Sequence, residues 1–321
     1  MKRTITILSA AGLLLTAPLA NAQTFVRMVS GPAGGSWYPL GAKIMQVMEK
    51  EISGISTSLA PGGGVGNIKD VSDGNAEIGW SYGHTAYNGY IGRGKFDHPY
   101  KNVAFFATLY PGIVQTAVPK DSSIKSFSDF KGKNISPGKS GWTGTAFAET
   151  VLNAYDLSYD KIRKEGGTVH HVDYTDSVAL MKDGHIDVFL AVTSMPQASF
   201  IDLNFKPGIK LIGIEPEKMK KIIANNPGTY ATKIPVGTYE GMTEDVPTLA
   251  TATVMVVRAD LPEDLVYKMC KVFWKEHATF AAVKKTWNDV KLPDALAAAA
   301  IPVHPGAARC YKELGVKMAA K

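Results

Sequence analysis

The hexapeptide 73-DGNAEI-78 returns as 183-DGHIDV-188, displaced by 110 residues. Each copy carries the same local instruction. Ahead of the first copy, Ile68 and Val71 lie three apart, as on one face of a short helix. Gly74 then stands where a helix ends on a left-handed glycine, and Ala76 to Trp80 reads as a buried strand. A second pair of features repeats at about the same offset: the loop Gly34-Gly35-Ser36 and the loop Thr143-Gly144-Thr145. Two independent matches at one spacing predict two related α/β lobes rather than one continuous domain.

The lobes extend outward from these loops. Residues 24–29 (TFVRMV) alternate as a strand and lead into 31-GPAGGSWYPLG-41. Leu40, Ile44, Val47 and Met48 follow at helical spacing, with Ser36 as a candidate N-cap and Pro39 confined to the first turn. A second strand at 56–60 runs into 61-PGGGVGN-67. In the second lobe, 134–136 feeds 138-GKSGWTGT-145, and a helix carries Phe147, Val151 and Leu152. A strand at 114–118 leaves the first lobe, and the β-rich run 251-TATVMVV-257 returns to it, giving two hinge strands. Helical stretches are expected at 262–280 and 293–300. The expected division is residues 1–22 as a signal peptide, 23–118 with 251–321 as lobe one, and 119–250 as lobe two.

Composition restricts the function classes. The 321 residues are 45% hydrophobic and 20% charged, an ordinary globular balance, with a formal charge of +6. Taken alone that basicity suggests a nucleic-acid partner. However, 1-MKRTITILSAAGLLLTAPLANA-22 has a basic start, an apolar centre and a small-residue end, the pattern of an export signal cut before Gln23. Its apolar stretch is shorter than the ~20 residues of a membrane-spanning helix. Removing Lys2 and Arg3 leaves 33 basic groups against 29 acidic, or +4, with no basic run to form a nucleic-acid stripe. Cys270 and Cys310 are the only cysteines. Export permits a disulfide, but spacing alone leaves both a bridge and two buried thiols open.

Enzyme signatures come close and fail. Gly138-Lys139-Ser140 ends like a P-loop, but Lys133 occupies the required glycine position. Gly62 and Gly64 begin a dinucleotide fingerprint that Asn67 breaks, and Trp142 breaks a nucleophile elbow through Ser140. His170 and His171 are adjacent and would point to opposite faces of a strand, so no metal site is expected. What remains suits binding. Two glycine-rich loops open onto helix N-termini, each offering backbone N–H groups and about +0.5 of dipole charge to an anion. The candidate ligand contacts are Gly34, Gly35, Ser36, Trp37, Tyr38, Gly63, Gly64, Asn67, Ser81, Tyr82, Tyr110, Lys139, Trp142, Thr143, Gly144, Thr145, Thr193 and Ser194, with no catalytic residue, metal or cofactor expected. Arg163 sits in a solvated KIRKE run, so no arginine clamp on an acid is evident in the second lobe.

Together the segments 34-GGSWYPLG-41, 61-PGGGVGNI-68, 73-DGNAEIG-79, 86-AYNG-89, 109-LYPG-112, 143-TGT-145, 183-DGHIDVF-189 and 302-PVHPGAARCYKELG-315 resemble the TAXI family of solute receptors of TRAP-type tripartite transporters. The resemblance runs in order along nearly the whole chain, and the C-terminal segment is its most distinctive part. It departs at Trp142, where the family pattern reads Gly-Ser-Gly-Thr, and over 79-GWSYGH-84. The resemblance implies a type II periplasmic-binding-protein fold that closes on a solute. That solute would be a small organic acid or amino acid of the glutamate, glutamine or 2-oxoglutarate kind, passed to a membrane permease from the periplasm. The alternatives are a receptor of another tripartite class, a sensory binder coupled to a histidine kinase, and a periplasmic enzyme on the same scaffold.

Overall fold

The computed structural model describes residues 23–32 and 35–317; the signal-sequence reading of 1–22 lies outside them. In chain order the elements are β1 (Thr24–Val29), α1 (Trp37–Glu51), β2 (Ile55–Ala60), α2 (Gly64–Ser72), β3 (Ile78–Tyr82), α3 (Gly83–Ile91) and β4 (Val103–Pro119). Next come β5 (Ile135–Ser136), α4 (Thr143–Ala154), α5 (Tyr159–Lys164), α6 (Tyr174–Lys182), β6 (Val188–Thr193), α7 (Ala198–Phe205), β7 (Ile209–Leu211), α8 (Pro216–Asn225) and β8 (Thr229–Ile234). The chain closes with β9 (Val246–Arg258), α9 (Glu263–Lys275), α10 (His277–Val283) and α11 (Pro305–Glu313). The fold is mixed α/β.

One sheet runs β2-β1-β3-β9-β4-β6-β5, with β7 and β8 added to β4 and β9. The two long strands belong to both halves of it. From Ile113 onward β4 pairs with β6 and then β7, and its earlier part pairs with β9. Likewise β9 meets β8 through Val246–Thr251 and β3 through Thr253–Val257. The β4–β9 register slips between Thr108 and Pro111. A proline has no N–H to give to the ladder, so the strand bulges there, at the crossing between halves.

The repeat is visible in hydrogen bonds. Asp73 (φ −82°, ψ −2°) and Asp183 (φ −86°, ψ 0°) cap α2 and α6. Each is followed by a left-handed glycine, Gly74 at φ +81° and Gly184 at φ +73°. The next carboxylate ties the following strand to its neighbour. Glu77 Oε2 accepts from Arg27 N at 2.7 Å, and Asp187 Oδ2 accepts from Asn134 N at 2.8 Å. In return, Glu77 N donates to the Arg27 carbonyl and Asp187 N to the Asn134 carbonyl. The acidic residue in both hexapeptides is therefore a structural tie.

Helix α1 buries Trp37, Leu40, Ile44, Met45, Val47 and Met48 against the sheet, and α2 buries Val65, Ile68 and Val71. Each such aliphatic side chain contributes roughly 1.5–3 kcal/mol on full burial. A smaller core in the other half gathers Ile113, Phe189, Phe200, Leu203 and Tyr239. The C-terminal segment docks on the first half. Tyr311 Oη donates to the Phe106 carbonyl at 2.7 Å, and Gly306 packs where an added Cβ would lie 2.2 Å from the Glu263 carbonyl. Cys270 in α9 and Cys310 in α11 form a disulfide with Cα atoms 6.2 Å apart, which closes the question that spacing left open.

Several expectations need correction. Ser36 occupies the N-cap position of α1 but makes no side-chain capping bond, because its backbone is helical (φ −72°, ψ −22°). The expected helix at 293–300 is only a single 3-10 turn, Leu292–Asp294, followed by turns. Its backbone is taken up by β4: Thr108 N donates to the Ala295 carbonyl, and Ala298 N donates to Thr108 Oγ1. The run read as 262–280 is two helices, broken at Glu276.

Candidate functional site

The N-termini of α1 and α4 lie in opposite halves and meet at one cavity. The first turn of any helix leaves N–H groups without intrahelical partners, and neither Ser36 nor Trp142 caps its helix through a side chain. The cavity is about 40 Å³ and is lined by Pro32, Gly35, Ser36, Trp37, Gly63 and Tyr82 from one side. Trp142, Thr143, Gly144, Tyr174, Val192 and Thr193 line the other. It adjoins a larger space of about 460 Å³, reached past Trp142 and Tyr174 and bordered by Lys139, Asp173, Thr175 and Ser199.

The halves touch around the cavity. Tyr82 Oη donates to the Val192 carbonyl at 2.7 Å. Gly112 in β4 makes room for that reach, since a Cβ there would lie 2.6 Å from the Tyr82 ring and hydroxyl. A Cβ on Gly63 would lie 2.6 Å from Trp142 Cδ1, and one on Gly64 would lie 2.7 Å from Thr143 Oγ1. Away from the cavity, Lys95 and Glu149 of α4 form an ion pair at 2.8 Å that also joins the halves. Glycines thus permit close contact between the halves around the cavity.

Of the residues expected from sequence, Gly35, Ser36, Trp37, Gly63, Tyr82, Trp142, Thr143, Gly144 and Thr193 surround the cavity. Gly34 lies outside the described residues. Lys139 borders the larger space and pairs with Asp173 at 3.3 Å. The others sit elsewhere. Asn67 is buried behind the cleft: its Nδ2 donates to the carbonyls of Ser30 and Trp80, and its Oδ1 accepts from Gly63 N. Ser81 Oγ donates to the Gly64 carbonyl, and Thr145 Oγ1 holds the loop through the Lys139 and Pro137 carbonyls. Tyr110 lies beneath Ser36, donating to its Oγ at 3.4 Å. Tyr38 is half-buried and Ser194 fully buried, and neither lines these two spaces. His170 and His171 turn to separate partners, Thr168 Oγ1 and the Gly138 carbonyl.

Sequence reasoning missed Tyr174 and Val192. The repeat itself carried the signal: adding 110 to Gly64 and Tyr82 gives Tyr174 and Val192. The Tyr82–Val192 bond therefore joins equivalent positions of the two copies. Tyr174 packs edge-on to Trp142, with ring centroids 5.1 Å apart.

Among the described residues, none lining the smaller cavity is charged. Burial pushes the phenols of Tyr82 and Tyr174 up from their ordinary value, so both stay protonated. Thr143 and Thr193 are 3% and 7% exposed, and their hydroxyls have no partner among the described residues. Below the cleft, His84 is pushed down to about 3 by burial. Its Nδ1 lies 2.9 Å from Thr251 Oγ1 in β9, and its ring packs against Phe147 of α4 at 4.7 Å. The arrangement presents hydroxyl and amide donors with a positive dipole and no side-chain charge.

A family model described as the NMT1-like family matches residues 28–315. Among solved structures, the alkanesulfonate-binding protein SsuA from Xanthomonas axonopodis pv. citri bound to MOPS is 14% identical, with 91% of this chain and 83% of that chain covered and a TM-score of 0.48. An ancestral arginine-binding protein bound to arginine is 15% identical, covering 83% of this chain and 99% of that one, at 0.46. A chain from a structural study of glutathione import through GshT and the cystine importer of Streptococcus mutans is 12% identical, covering 88% and 99%, at 0.49. These likenesses, all at TM-scores below 0.5, place no ligand in this site.

Proposed function

Because this chain belongs to the NMT1-like family, we propose that it is a periplasmic solute-binding protein that captures a small organic acid or amino acid between two lobes. One observation supports this reading above the others: two helix N-termini from opposite halves converge on one cavity, onto which the hydroxyls of Thr143 and Thr193 open. Such termini attract anions through N–H groups and dipole, and a ligand bridging both favours the closed arrangement over an open one. The lobes are 23–118 with 251–321, and 119–250, with β4 and β9 as hinge strands.

The cavity offers no histidine, cysteine, carboxylate or lysine among its described lining residues. A nucleophile–base pair would need one of these, which favours a binder over an enzyme. The finer proposal is delivery to a TRAP-type permease. It rests on the TAXI-like segments, and the periplasmic location rests on the export-signal reading of residues 1–22.

Small-angle scattering with thermal-shift measurement tests the receptor reading. Adding C4–C6 carboxylic acids or amino acids to the apo protein should lower the radius of gyration and raise the melting temperature. Absence of both effects across the panel overturns it.

A further inference from the structure

We infer that the cavity takes a carboxylate that carries no ammonium group, a 2-oxo, 2-hydroxy or unsubstituted acid rather than an amino acid. This rests on the receptor reading and narrows its substrate class. The argument is one of charge. Both helix N-termini facing the cavity present the positive end of their dipoles. The lining side chains add only hydroxyl, aromatic and apolar groups.

A carboxylate is well matched to that lining. Thr143 and Thr193 are more than nine-tenths buried as residues, yet their hydroxyls make no hydrogen bond among the described residues and open onto the cavity, one from the first turn of α4 and one from the end of β6. Both are free to donate to an acceptor arriving between them. An α-ammonium is badly matched. It would be carried within the same small space as its carboxylate, toward two positive dipole ends, with no acid to pair it. A desolvated charge without a partner is strongly unfavourable. The acid nearest the cavity is Asp173, which borders the larger space. It is already bound to Lys139 at 3.3 Å and caps α6 by accepting from Asp176 N at 3.0 Å. The buried Val192 carbonyl is already engaged by Tyr82 Oη.

Size points the same way. A cavity of about 40 Å³ holds roughly three waters' worth of ligand. That is room for one carboxylate and its adjacent carbon, with the remainder of the molecule extending toward the 460 Å³ space. The α-substituent therefore sits inside the uncharged part, where an oxo or hydroxyl oxygen finds hydroxyl donors, and an ammonium finds only neutral hydroxyl and ring acceptors and no carboxylate among the described lining residues to balance its charge.

Isothermal titration on the mature protein tests this with matched pairs: succinate with aspartate, 2-oxoglutarate with glutamate, and lactate with alanine. In each pair that gives measurable binding, the acid without nitrogen should bind at least tenfold tighter. An amino member that binds as tightly as its partner, or more tightly, overturns the inference and leaves the receptor reading standing. Absence of binding by every compound, with no compaction in scattering, overturns both.

Discussion

Single atoms at the contact between the halves decide whether the cleft can close. Gly63 has an extended backbone (φ −154°), which any residue can adopt, so glycine is not there for conformational freedom. It is there because a methyl group would lie 2.6 Å from Trp142 Cδ1 and 3.0 Å from the Gly141 carbonyl. Gly63→Ala should therefore leave the isolated halves intact and block their approach. The expected result is a melting temperature of the apo protein within about 2 °C of wild type and ligand affinity at least tenfold weaker, read by calorimetry. Thr143→Val asks a complementary question at the same contact. It keeps the shape and removes one donor, and should weaken binding by roughly 1–2 kcal/mol, the worth of one hydrogen bond to a charged group. The residue scale is also where sequence reading was least complete. Loop glycines, Ser36, Trp142 and Thr143 announced themselves through composition and position at helix starts. Asn67, Ser81 and Thr145 have the same chemistry in the same loops, yet their polar atoms face the chain's own carbonyls. Which way a short polar side chain turns depends on packing that no one-dimensional pattern holds.

Between elements, buried charge and a covalent link do the joining. Glu77 ties β1, β3 and the end of β9 together, accepting from Arg27 N, Arg27 Nη2 and Arg258 Nη1. Burial alone would push its carboxyl up, but the Arg27 side chain and N–H, with Arg258, outweigh that and hold it below the ordinary range. Glu77→Gln leaves Arg27 without a counter-charge, while Arg258 keeps Asp260, and should cost on the order of 3 kcal/mol in urea unfolding. Two depressed values contribute to the pH dependence, His84 beside the similarly lowered His304, and Glu77 among the carboxylates. His84, at about 3 in the fold, is neutral while the unfolded chain takes up a proton below about 6.5, so stability falls as pH drops from about 6.5 toward 3. Glu77 adds a further loss below about 4.3, where the unfolded carboxyl protonates first. Urea titrations at pH 7, 5.5 and 4 should show both steps, with His84→Gln flattening the upper one and Glu77→Gln the lower. Reducing the Cys270–Cys310 bridge, which closes a loop of 40 residues, should cost about 3–4 kcal/mol on a chain-entropy estimate. Elements were the most legible level in the sequence. Periodicity located β1, α1, α2 and α4, and the hexapeptide repeat located two equivalent strand entries whose caps and carboxylate ties agree bond for bond. The alanine-rich stretch after Leu292 misled because propensity favoured a helix while Thr108 in the β4 bulge took the same backbone groups. The His304 segment, most distinctive as a family mark, is structural: its Nδ1 accepts from Gly306 N to cap α11, and its Nε2 meets the Leu261 carbonyl.

For the whole molecule, the question is how the balance between open and closed states is held near the point where a ligand can shift it. Direct bonds between the halves near the cavity are few, and the one from Tyr82 Oη to the Val192 carbonyl crosses at the hinge side, where β4 and β9 exchange partners. A bond at that place changes little in length when the outer parts swing apart. The Lys95–Glu149 pair joins the halves away from that strand crossing, half-exposed on the lysine side, and on the proposed opening it should break. The two should therefore respond differently to mutation. Tyr82→Phe removes a donor from a buried carbonyl and should destabilise the fold by about 1 kcal/mol in unfolding measurements, with a comparable loss of affinity. Lys95→Ala touches only an exposed pair worth about 0.2–1 kcal/mol. It should leave unfolding unchanged and act on closure alone, speeding ligand release up to about fivefold in stopped-flow measurements. That effect should fade as salt rises, because an exposed ion pair is screened by salt. If Lys95→Ala instead lowers the stability of the apo protein as much as Tyr82→Phe does, the pair belongs to a permanent interface, and closure by relative movement of the two halves is not how this protein holds its solute.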